Sequence, residues 1–318
     1  MAAATQDLGQ KYTNDGQNFT PTSHSDTYPS ISPHLSTTLP TKSALITGAS
    51  KGLGLSIALS LARSGTTTIL LAARSPLSPL VPQILAAATS ASRPAPTVLC
   101  LQMDVTSLAS VEACRASVQQ QLGEEFRLDV LVNNAGSLTA GTPLADSEPR
   151  SWWADYETSI LGAYNVTRTF MPLLLSSRSS ADRAVVINMT SIGAHFIVPG
   201  FSSYSVAKLA VCRLTEFLCV EYGAQGVTAL CVHPGGVRTE LALNMPEFMW
   251  EYLVDTEELC GDGVAWLAGE AGTERGEWLG GRYVSVKWDV DELMAKKEEV
   301  VRGDLLKVRL AVNMFTGQ

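Results

Sequence analysis

Short apolar runs alternate with helix-length segments from residue 42 to residue 286, and this alternation constrains the fold more than any other feature of the chain. The runs of strand length lie at 42–47, 66–73, 97–103, 128–133, 184–189, 227–232 and 282–286. Strands that are apolar on both faces and alternate with helices are typical of a parallel sheet covered on both sides. The pattern predicts an α/β fold with a doubly wound parallel sheet in a single three-layer α/β/α domain.

The chain divides into a central domain and two terminal segments. No internal repeat and no linker interrupts the alternation, so one domain is predicted over 41–288. Residues 1–40 are rich in Ser, Thr, Pro, Asn and Gln, a composition that predicts a disordered N-terminal tail. Residues 289–318 carry Leu and Val at roughly helical spacing among charges, which predicts a C-terminal helical extension.

Composition excludes several classes of protein. The 318 residues include 23 Lys and Arg and 31 Asp and Glu, giving a net charge of -8 without a basic cluster, so nucleic acid is not an expected partner. No apolar run is long enough for a membrane span, and the N-terminus lacks the basic and apolar regions of a signal peptide. The six cysteines form no zinc-like spacing and suit a reducing compartment. We therefore expect a cytoplasmic protein without a metal site.

A glycine-rich turn follows the first strand. The sequence TGASKGLG (47–54) places Gly48, Gly52 and Gly54 between a strand and a helix. Glycines at such a turn let the backbone approach a phosphate closely, and N–H groups at the helix start bind an anion. The spacing is GxxxGxG rather than the GxGxxG fingerprint, but its position predicts a dinucleotide site.

The end of the second strand predicts which nicotinamide cofactor binds. An acid there would bind the ribose 2′-hydroxyl of NAD, but this strand ends in Ala72, Ala73, Arg74 and Ser75. Arg74, together with Lys51 in the glycine-rich turn, suits the 2′-phosphate of NADP. We therefore predict NADP(H) as the cofactor.

The sequence YSVAK (204–208) places a tyrosine and a lysine on one helix face, because four residues make just over one turn. A lysine charge beside a phenol lowers the pKa of the phenol from about 10, which makes Tyr204 a candidate general acid and base. Taken alone, the pentapeptide more often marks an ordinary amphipathic helix with a surface lysine and a half-buried tyrosine, because short motifs have high false-positive rates.

Six motifs in order resemble the short-chain dehydrogenase/reductase family over about three quarters of the chain. They are TGASKGLG, the pair Asp104 and Val105, NNAG (133–136), Ser191 thirteen residues before Tyr204, YSVAK, and HPGGVRTE (233–240). The C-terminal extension is similar to that of fungal members, which are often encoded near secondary-metabolite pathways. The resemblance implies a Rossmann fold and an oxidoreductase that acts on CH–OH and C=O groups.

The resemblance also assigns roles to residues. It implies that Ser191 binds the substrate carbonyl, that Tyr204 transfers the proton as hydride arrives from NADPH, and that Lys208 tunes Tyr204 and holds the nicotinamide ribose. Its implied cofactor contacts are Gly48, Ser50, Lys51, Gly52, Leu53, Gly54, Arg74, Asp104, Val105, Asn133, Asn134, Ala135, Gly136, Tyr204, Lys208, Pro234, Gly235, Val237 and Thr239.

The chain departs from the family at one catalytic position. Members usually carry an Asn in the helix after the fourth strand, where it supports a water molecule beside the lysine. Aligning ETSILGAY (157–164) places Ser159 there. A serine hydroxyl can also bind water, so we predict a modified proton relay that includes Ser159.

The segment LALNMPEFMWEYL (241–253) corresponds to the substrate lid of the family, within about 240–260. Its apolar and aromatic side chains predict a bulky apolar or aromatic ketone, aldehyde or secondary alcohol as substrate, although the same side chains suit a dimer contact or plain packing. The resemblance implies a homodimer or homotetramer.

Other functions stay open from the sequence alone. GASKG (48–52) fits the G-x-S-x-G motif of a serine hydrolase with Ser50 as nucleophile and His195 or His233 as base, but too few strands precede it. SVAK (205–208) fits S-x-x-K, but the accompanying β-lactamase motifs are missing. A non-catalytic NADP-binding regulator on the same fold is a further alternative, which the change at Ser159 slightly favours.

Overall fold

The structure is a computed structural model that describes residues 16–176 and 182–310, and within them seven strands form one parallel sheet in the order β3-β2-β1-β4-β5-β6-β7. The strands are β1 (Ser43–Thr47), β2 (Thr68–Ala73), β3 (Thr97–Gln102), β4 (Val130–Asn133), β5 (Ala184–Met189), β6 (Val227–His233) and β7 (Tyr283–Ser285). Chain order runs outward from β1 in one direction and from β4 in the other. This arrangement confirms the predicted doubly wound α/β fold.

Helices follow the strands and cover both faces of the sheet. They are α1 (Gly52–Arg63), α2 (Val81–Ser90), α3 (Leu108–Leu122), α4 (Pro149–Tyr156), α5 (Gly162–Leu175), α6 (Ser202–Tyr222), α7 (Glu257–Glu270), α8 (Val290–Ala295) and α9 (Lys297–Gly303). A π-helical turn, Glu157–Leu161, connects α4 to α5. Such turns widen a helix locally and are frequent at functional sites.

Two apolar layers sandwich the sheet, because successive side chains of a strand point to opposite faces. In β1, Ala44 and Ile46 enter one buried cluster and Leu45 enters the other. Helices α1 and α7 contribute side chains to the first cluster, and α3 and α5 contribute to the second. The connections from β1 and β4 leave in different directions, so a crevice forms at the carboxyl ends of these strands.

The chain before β1 is folded from Gly16 onwards, which corrects the prediction of a disordered tail over 1–40. Ile31 and Leu39 are buried in the core, and Thr20 is also buried. Composition predicted disorder because the segment is mostly polar. A few apolar side chains are enough to order it, since they pack on residues that lie far away in sequence. Phe19, for example, packs on Trp288 with 5.0 Å between ring centroids. Residues 1–15 of the predicted tail lie outside the described residues.

Helices α8 and α9 occupy the region of the predicted C-terminal extension, and Leu293 and Val300 from them are buried in the first core cluster. The last part of that extension, 311–318, lies outside the described residues. No helix in the described part of the chain has the length and apolar character required to cross a membrane.

Candidate active site

A cavity of about 1760 Å³ lies at the carboxyl ends of the strands. Small-molecule sites commonly measure about 300–1000 Å³, so this one has room for a dinucleotide and a second molecule. It is lined by all the residues that were predicted for the site except Asn133 and Ser159. The fold therefore brings motifs from five different strand ends to one place.

Glycines shape the turn between β1 and α1. Gly48 has a φ of +65°, which residues with a side chain rarely adopt. A Cβ on Gly54 would lie 2.3 Å from the carbonyl oxygen of Gly48, so only glycine fits at this position. The residues that open α1 line the cavity, and the free N–H groups at a helix start suit a phosphate. The turn therefore fits the pyrophosphate of a dinucleotide.

The two cations predicted to bind a 2′-phosphate have different surroundings. The ammonium group of Lys51 forms an ion pair with the carboxylate of Glu240. Arg74 directly follows β2, is exposed at the cavity, and forms no ion pair with any described residue. The ion pair of Lys51 is exposed and therefore weak, so Lys51 stays a predicted contact of the 2′-phosphate, and Arg74 is the one of the two cations without an ion pair among the described residues.

The asparagines of the NNAG motif have separate roles. Asn133 is buried away from the large cavity, and its Nδ2 donates to Asn188 Oδ1 at 2.8 Å and to Thr167 Oγ1 at 2.9 Å. The prediction that Asn133 contacts the cofactor is therefore not supported. Asn134 lines the cavity, and its Nδ2 donates to the carbonyl oxygen of Thr47 at 2.9 Å, which joins the end of β4 to the glycine-rich turn.

Asp104 fixes the turn that follows β3. Its Oδ1 accepts hydrogen bonds from the N–H of Thr106 at 2.9 Å and from the hydroxyl of the same residue at 2.8 Å. This turn holds Asp104 and Val105 at the cavity wall, beyond the end of β2 that carries Arg74. The predicted cofactor contacts Arg74, Asp104 and Val105 therefore meet on the β2–β3 side of the cavity, where the 2′-phosphate and its adenosine are expected.

Ser191, Tyr204 and Lys208 lie on the wall of the same cavity. Ser191 follows β5, and α6 carries the other two residues one turn apart. The Lys208 Nζ lies 5.6 Å from the centroid of the Tyr204 ring and donates to the carbonyl oxygen of Met189 at 2.9 Å. The Ser191 Oγ accepts the N–H of Gly193 at 3.0 Å, and the serine hydroxyl also forms a hydrogen bond with Tyr204.

Burial controls the ionisation of the tyrosine and the lysine. Burial raises the pKa of Tyr204, and a hydrogen bond with the Ser191 hydroxyl opposes that increase. Burial also lowers the pKa of Lys208 to about 8, while the charge of Asp155 raises it. The sequence predicted a lowered pKa for Tyr204; the direction is the opposite, because desolvation of the phenolate outweighs the other effects.

Ser159 lies in the π-helical turn, outside the large cavity but next to it. It lines a second cavity of about 10 Å³ together with Lys208 and Asn133. Ser159 Oγ and Asn133 Oδ1 are buried, and neither has a hydrogen-bond partner among the described residues. A space of this size fits one water molecule, and buried polar groups usually require a partner. The surroundings of Ser159 are therefore suited to a water molecule beside Lys208.

Asp155 belongs to no motif and is absent from the predicted site, yet it is fully buried and contacts α6, the helix that carries Tyr204 and Lys208. Its Oδ2 accepts hydrogen bonds from the Ser203 hydroxyl at 2.8 Å and from the N–H of Thr139 at 3.0 Å. Its charge raises the pKa of both Tyr204 and Lys208. The available sequence signal is helical spacing, because Asp155 precedes Ser159 by four residues.

The structure argues against the serine hydrolase alternative, because neither candidate histidine is suited to act as the base for Ser50. His233 is buried, its Nδ1 accepts the N–H of Ile192 at 3.2 Å, and burial lowers its pKa to about 3. An imidazole with this pKa is too weak a base to activate a serine hydroxyl near neutral pH. The rings of His195 and Tyr283 are in a T-shaped contact with 4.7 Å between centroids, and His195 is not among the residues that line the cavity containing Ser50.

The predicted lid borders the cavity. Met245, Phe248, Met249 and Tyr252 line it, and Phe248 and Tyr252 remain 57% and 66% exposed. The lid is held by Trp250, whose Nε1 donates to the carbonyl oxygen of Met245 at 3.0 Å. This wall of the cavity therefore presents apolar surface to an occupant.

Comparison with known proteins identifies the family. Residues 42–249 match the family model described as short chain dehydrogenase. The protein named short chain dehydrogenase mpl6 from Monascus purpureus is 46% identical over 289 residues, which are 91% of this chain and 95% of that protein. Short chain dehydrogenase pigC from Monascus ruber is 38% identical over 91% of this chain and 93% of its own. The chain therefore belongs to the short-chain dehydrogenase family of oxidoreductases, as its motifs predicted.

Solved structures share the fold at lower identity. Carbonyl reductase from chicken fatty liver, bound to NADPH, has a TM-score of 0.63 and 21% identity, with 78% of this chain and 97% of that chain covered. The NADH-dependent reductase A1-R′, complexed with NAD, has a TM-score of 0.64 and 21% identity, with 78% and 95% covered. These similarities show the fold alone, and the two neighbours hold different nicotinamide cofactors.

Proposed function

We propose that the protein is an NADP(H)-dependent oxidoreductase that reduces a ketone or aldehyde, or oxidises a secondary alcohol, of a bulky apolar or aromatic molecule. The observation that carries this proposal is the meeting of Ser191, Tyr204 and Lys208 on the wall of a cavity that the glycine-rich turn also lines. A hydroxyl, a phenol and an ammonium group at one wall are the groups that carbonyl reduction requires.

NADPH, when bound, supplies the hydride. Ser191 donates a hydrogen bond to the carbonyl oxygen of the substrate, and Tyr204 gives its phenolic proton to that oxygen as negative charge develops there. Lys208 holds a positive charge close to Tyr204, which stabilises the phenolate that remains. In the oxidative direction Tyr204 takes the proton from the alcohol instead.

The proton that Tyr204 gives up is replaced through Lys208. The buried Ser159 hydroxyl and the Asn133 amide oxygen lie at the small cavity beside this lysine, and both require a partner. One water molecule there accepts a hydrogen bond from Lys208 and donates to these oxygens; once Lys208 has passed a proton to Tyr204, this water returns a proton to the lysine and regains one from solvent. Ser159 thus keeps the relay, with a shorter side chain.

The position of Arg74 favours NADP(H) over NAD(H) as the cofactor. It is an exposed cation at the end of β2, where no acid is present to bind a ribose 2′-hydroxyl. A guanidinium group binds a phosphate through paired hydrogen bonds, which a hydroxyl cannot match. Lys51 lines the same cavity and forms an exposed ion pair with Glu240, so its contribution to this preference is expected to be smaller than that of Arg74.

The composition of the lid and the size of the cavity favour a bulky substrate. Its apolar side chains face a cavity that exceeds what a dinucleotide alone requires, so an apolar or aromatic carbonyl compound is favoured. Both named relatives come from Monascus species, which are fungi, and a role in secondary metabolism is part of the proposal. We also include a cytoplasmic location and a homodimeric or homotetrameric assembly.

The test combines binding and turnover. The full chain is titrated with NADPH and NADH by fluorescence, and NADPH oxidation is followed with a panel of aryl ketones. The proposal predicts tighter binding of NADPH and turnover of at least one bulky ketone. Tight binding without any turnover would favour the non-catalytic regulator, for which the Ser159 replacement is the supporting observation, and failure to bind either cofactor would reject both functions.

A further inference from the structure

The N-terminal strap, defined as residues 16–24, forms part of the wall of the large cavity. Gly16, Gln17, Asn18 and Ser23 all line it. The family match begins only at residue 42, so this part of the wall lies outside the matched domain. The strap therefore adds to the cavity a stretch of wall that lies outside the residues matched by the family model.

The strap is fixed to the chain that follows β7. The carbonyl oxygen of Gly16 accepts a hydrogen bond from Trp288 Nε1 at 2.8 Å, and the N–H of His24 donates to the carbonyl oxygen of Lys287 at 2.7 Å. Between these two points, the hydroxyl of Thr22 donates to Glu292 at 2.7 Å. Attachment at both ends and in the middle holds the strap at a defined position beside the cavity.

The strap lies at the catalytic end of the cavity and not at the adenosine end. The sheet order puts β7 at one edge and β3 at the other, with β2 beside β3; Arg74 follows β2 and Asp104 follows β3. A chain of aromatic contacts leads from the strap to the catalytic loop. Phe19 packs on Trp288 at 5.0 Å, Trp288 on Tyr283 at 5.8 Å, and Tyr283 on His195 at 4.7 Å between centroids. His195 is four residues beyond Ser191.

We infer that the N-terminal strap is the far wall of the substrate site and sets the length of the carbonyl compounds that the site accepts. This inference rests on the proposed oxidoreductase function. The lid provides apolar side chains along the body of the substrate, and the strap meets its distal end. Because Gln17 and Asn18 carry amides, which donate and accept hydrogen bonds, a substrate with an oxygen substituent at that end is favoured.

The experiment enlarges one residue of the wall. The Asn18→Trp variant is compared with the unaltered chain on acetophenone and on the longer 4-benzyloxyacetophenone, with NADPH in excess. Ser25→Trp is the matched control, because Ser25 is exposed and does not line the cavity. A tryptophan at position 18 could turn towards solvent and leave the cavity unchanged. Gln17→Trp is therefore made as a second variant of the same wall. Circular dichroism and NADPH titration verify the fold of each variant.

The inference predicts that kcat/KM for the long ketone, relative to the short one, falls by about tenfold or more in Asn18→Trp or Gln17→Trp, since misfits of one to a few heavy atoms have effects of this size. Ser25→Trp keeps the ratio of the unaltered chain. Unchanged ratios in both cavity variants would overturn the inference and leave the proposed function intact.

If no turnover is seen, calorimetric titration of both ketones into the NADP⁺-saturated protein tests the role of the strap separately from the proposed oxidoreductase function. Selective loss of binding of the long ketone in the cavity variants, without turnover by any protein, supports the strap as a wall and rejects the proposed function. Equal binding by all variants overturns the inference, and absence of binding to the unaltered chain rejects both ideas.

Discussion

Asp155 accepts a hydrogen bond at 2.8 Å from the hydroxyl of Ser203, the residue that directly precedes Tyr204 on α6. The same carboxylate accepts the N–H of Thr139, so one buried acid joins the loop after β4 to the first turn of α6. Its charge also raises the pKa of Lys208. The helix that carries the reactive groups is therefore fixed and electrostatically tuned by a side chain that belongs to no motif.

Replacing Asp155 by Asn should move the pH profile of turnover. Burial holds the pKa of Lys208 at about 8, and Asp155 opposes that decrease, so loss of its charge lowers the pKa of Lys208 further. Tyr204 and Cys212 are the other titratable groups that face this lysine from α6. The alkaline limb of kcat/KM should then shift to lower pH in Asp155→Asn. Ser203→Ala is the control, because it removes the hydrogen bond and keeps the charge; equal profiles for both variants would contradict the electrostatic role.

Arg74→Asp should reverse or abolish the cofactor preference. Hydrogen bonds to charged groups contribute roughly 1.5–3 kcal/mol, so losing the contact with the 2′-phosphate should weaken NADPH binding by about tenfold to a hundredfold. NADH binding should weaken much less. Arg302→Asp makes the same charge change at the end of α9, away from the cavity, and should behave as the unaltered chain does. Equal NADPH affinity in Arg74→Asp would rule out the role assigned to this residue.

Ser159→Ala should lower kcat by about tenfold without stabilising the fold, because the account places a water molecule against this hydroxyl. If no water were held there, removing a buried and unsatisfied hydroxyl would raise the free energy of unfolding by about 1 kcal/mol or more. Urea denaturation and steady-state kinetics measure the two effects. Ser90→Ala, at an exposed position in α2 that lines neither cavity, serves as a control for the stability measurement.

His233 should destabilise the fold in mild acid. Its folded pKa of about 3 lies below the unfolded value of about 6.5, so between these values only the unfolded chain binds the proton. The stability contribution is therefore present above about pH 6.5 and is lost as the pH falls. From about pH 7 to about pH 5 the loss amounts to about 2 kcal/mol in the free energy of unfolding. His233→Asn keeps an acceptor for Ile192 and should show a smaller loss in urea titrations; an identical loss would contradict the buried, neutral state.

The sheet and most of the site were predictable because their signals are local. Buried strands are near-continuous apolar runs, and the glycine-rich turn and YSVAK each fall within eight residues. The carboxyl ends of parallel strands then bring such motifs together without further information. This is why Ser191 and Tyr204 share a cavity with Gly54, as expected from the order of the motifs.

The parts that were missed depend on contacts between distant residues. The strap owes its position to Trp288, more than 250 residues away, and its own composition resembles that of a disordered segment. The partner of Lys51 is Glu240, which no local pattern indicates. Asp155 looks like an ordinary surface acid until the fold places it against α6. Long-range electrostatics and terminal segments were therefore beyond sequence patterns.

The central claim is that Tyr204 exchanges the proton with the substrate oxygen, and Tyr204→Phe tests it most directly. The variant keeps the ring and loses only the hydroxyl, so NADPH should bind with unchanged affinity. Loss of general acid catalysis should reduce kcat for a ketone that the unaltered chain accepts by about 100-fold or more. NADPH oxidation by Tyr204→Phe at a rate within about twofold of the unaltered chain would contradict the account.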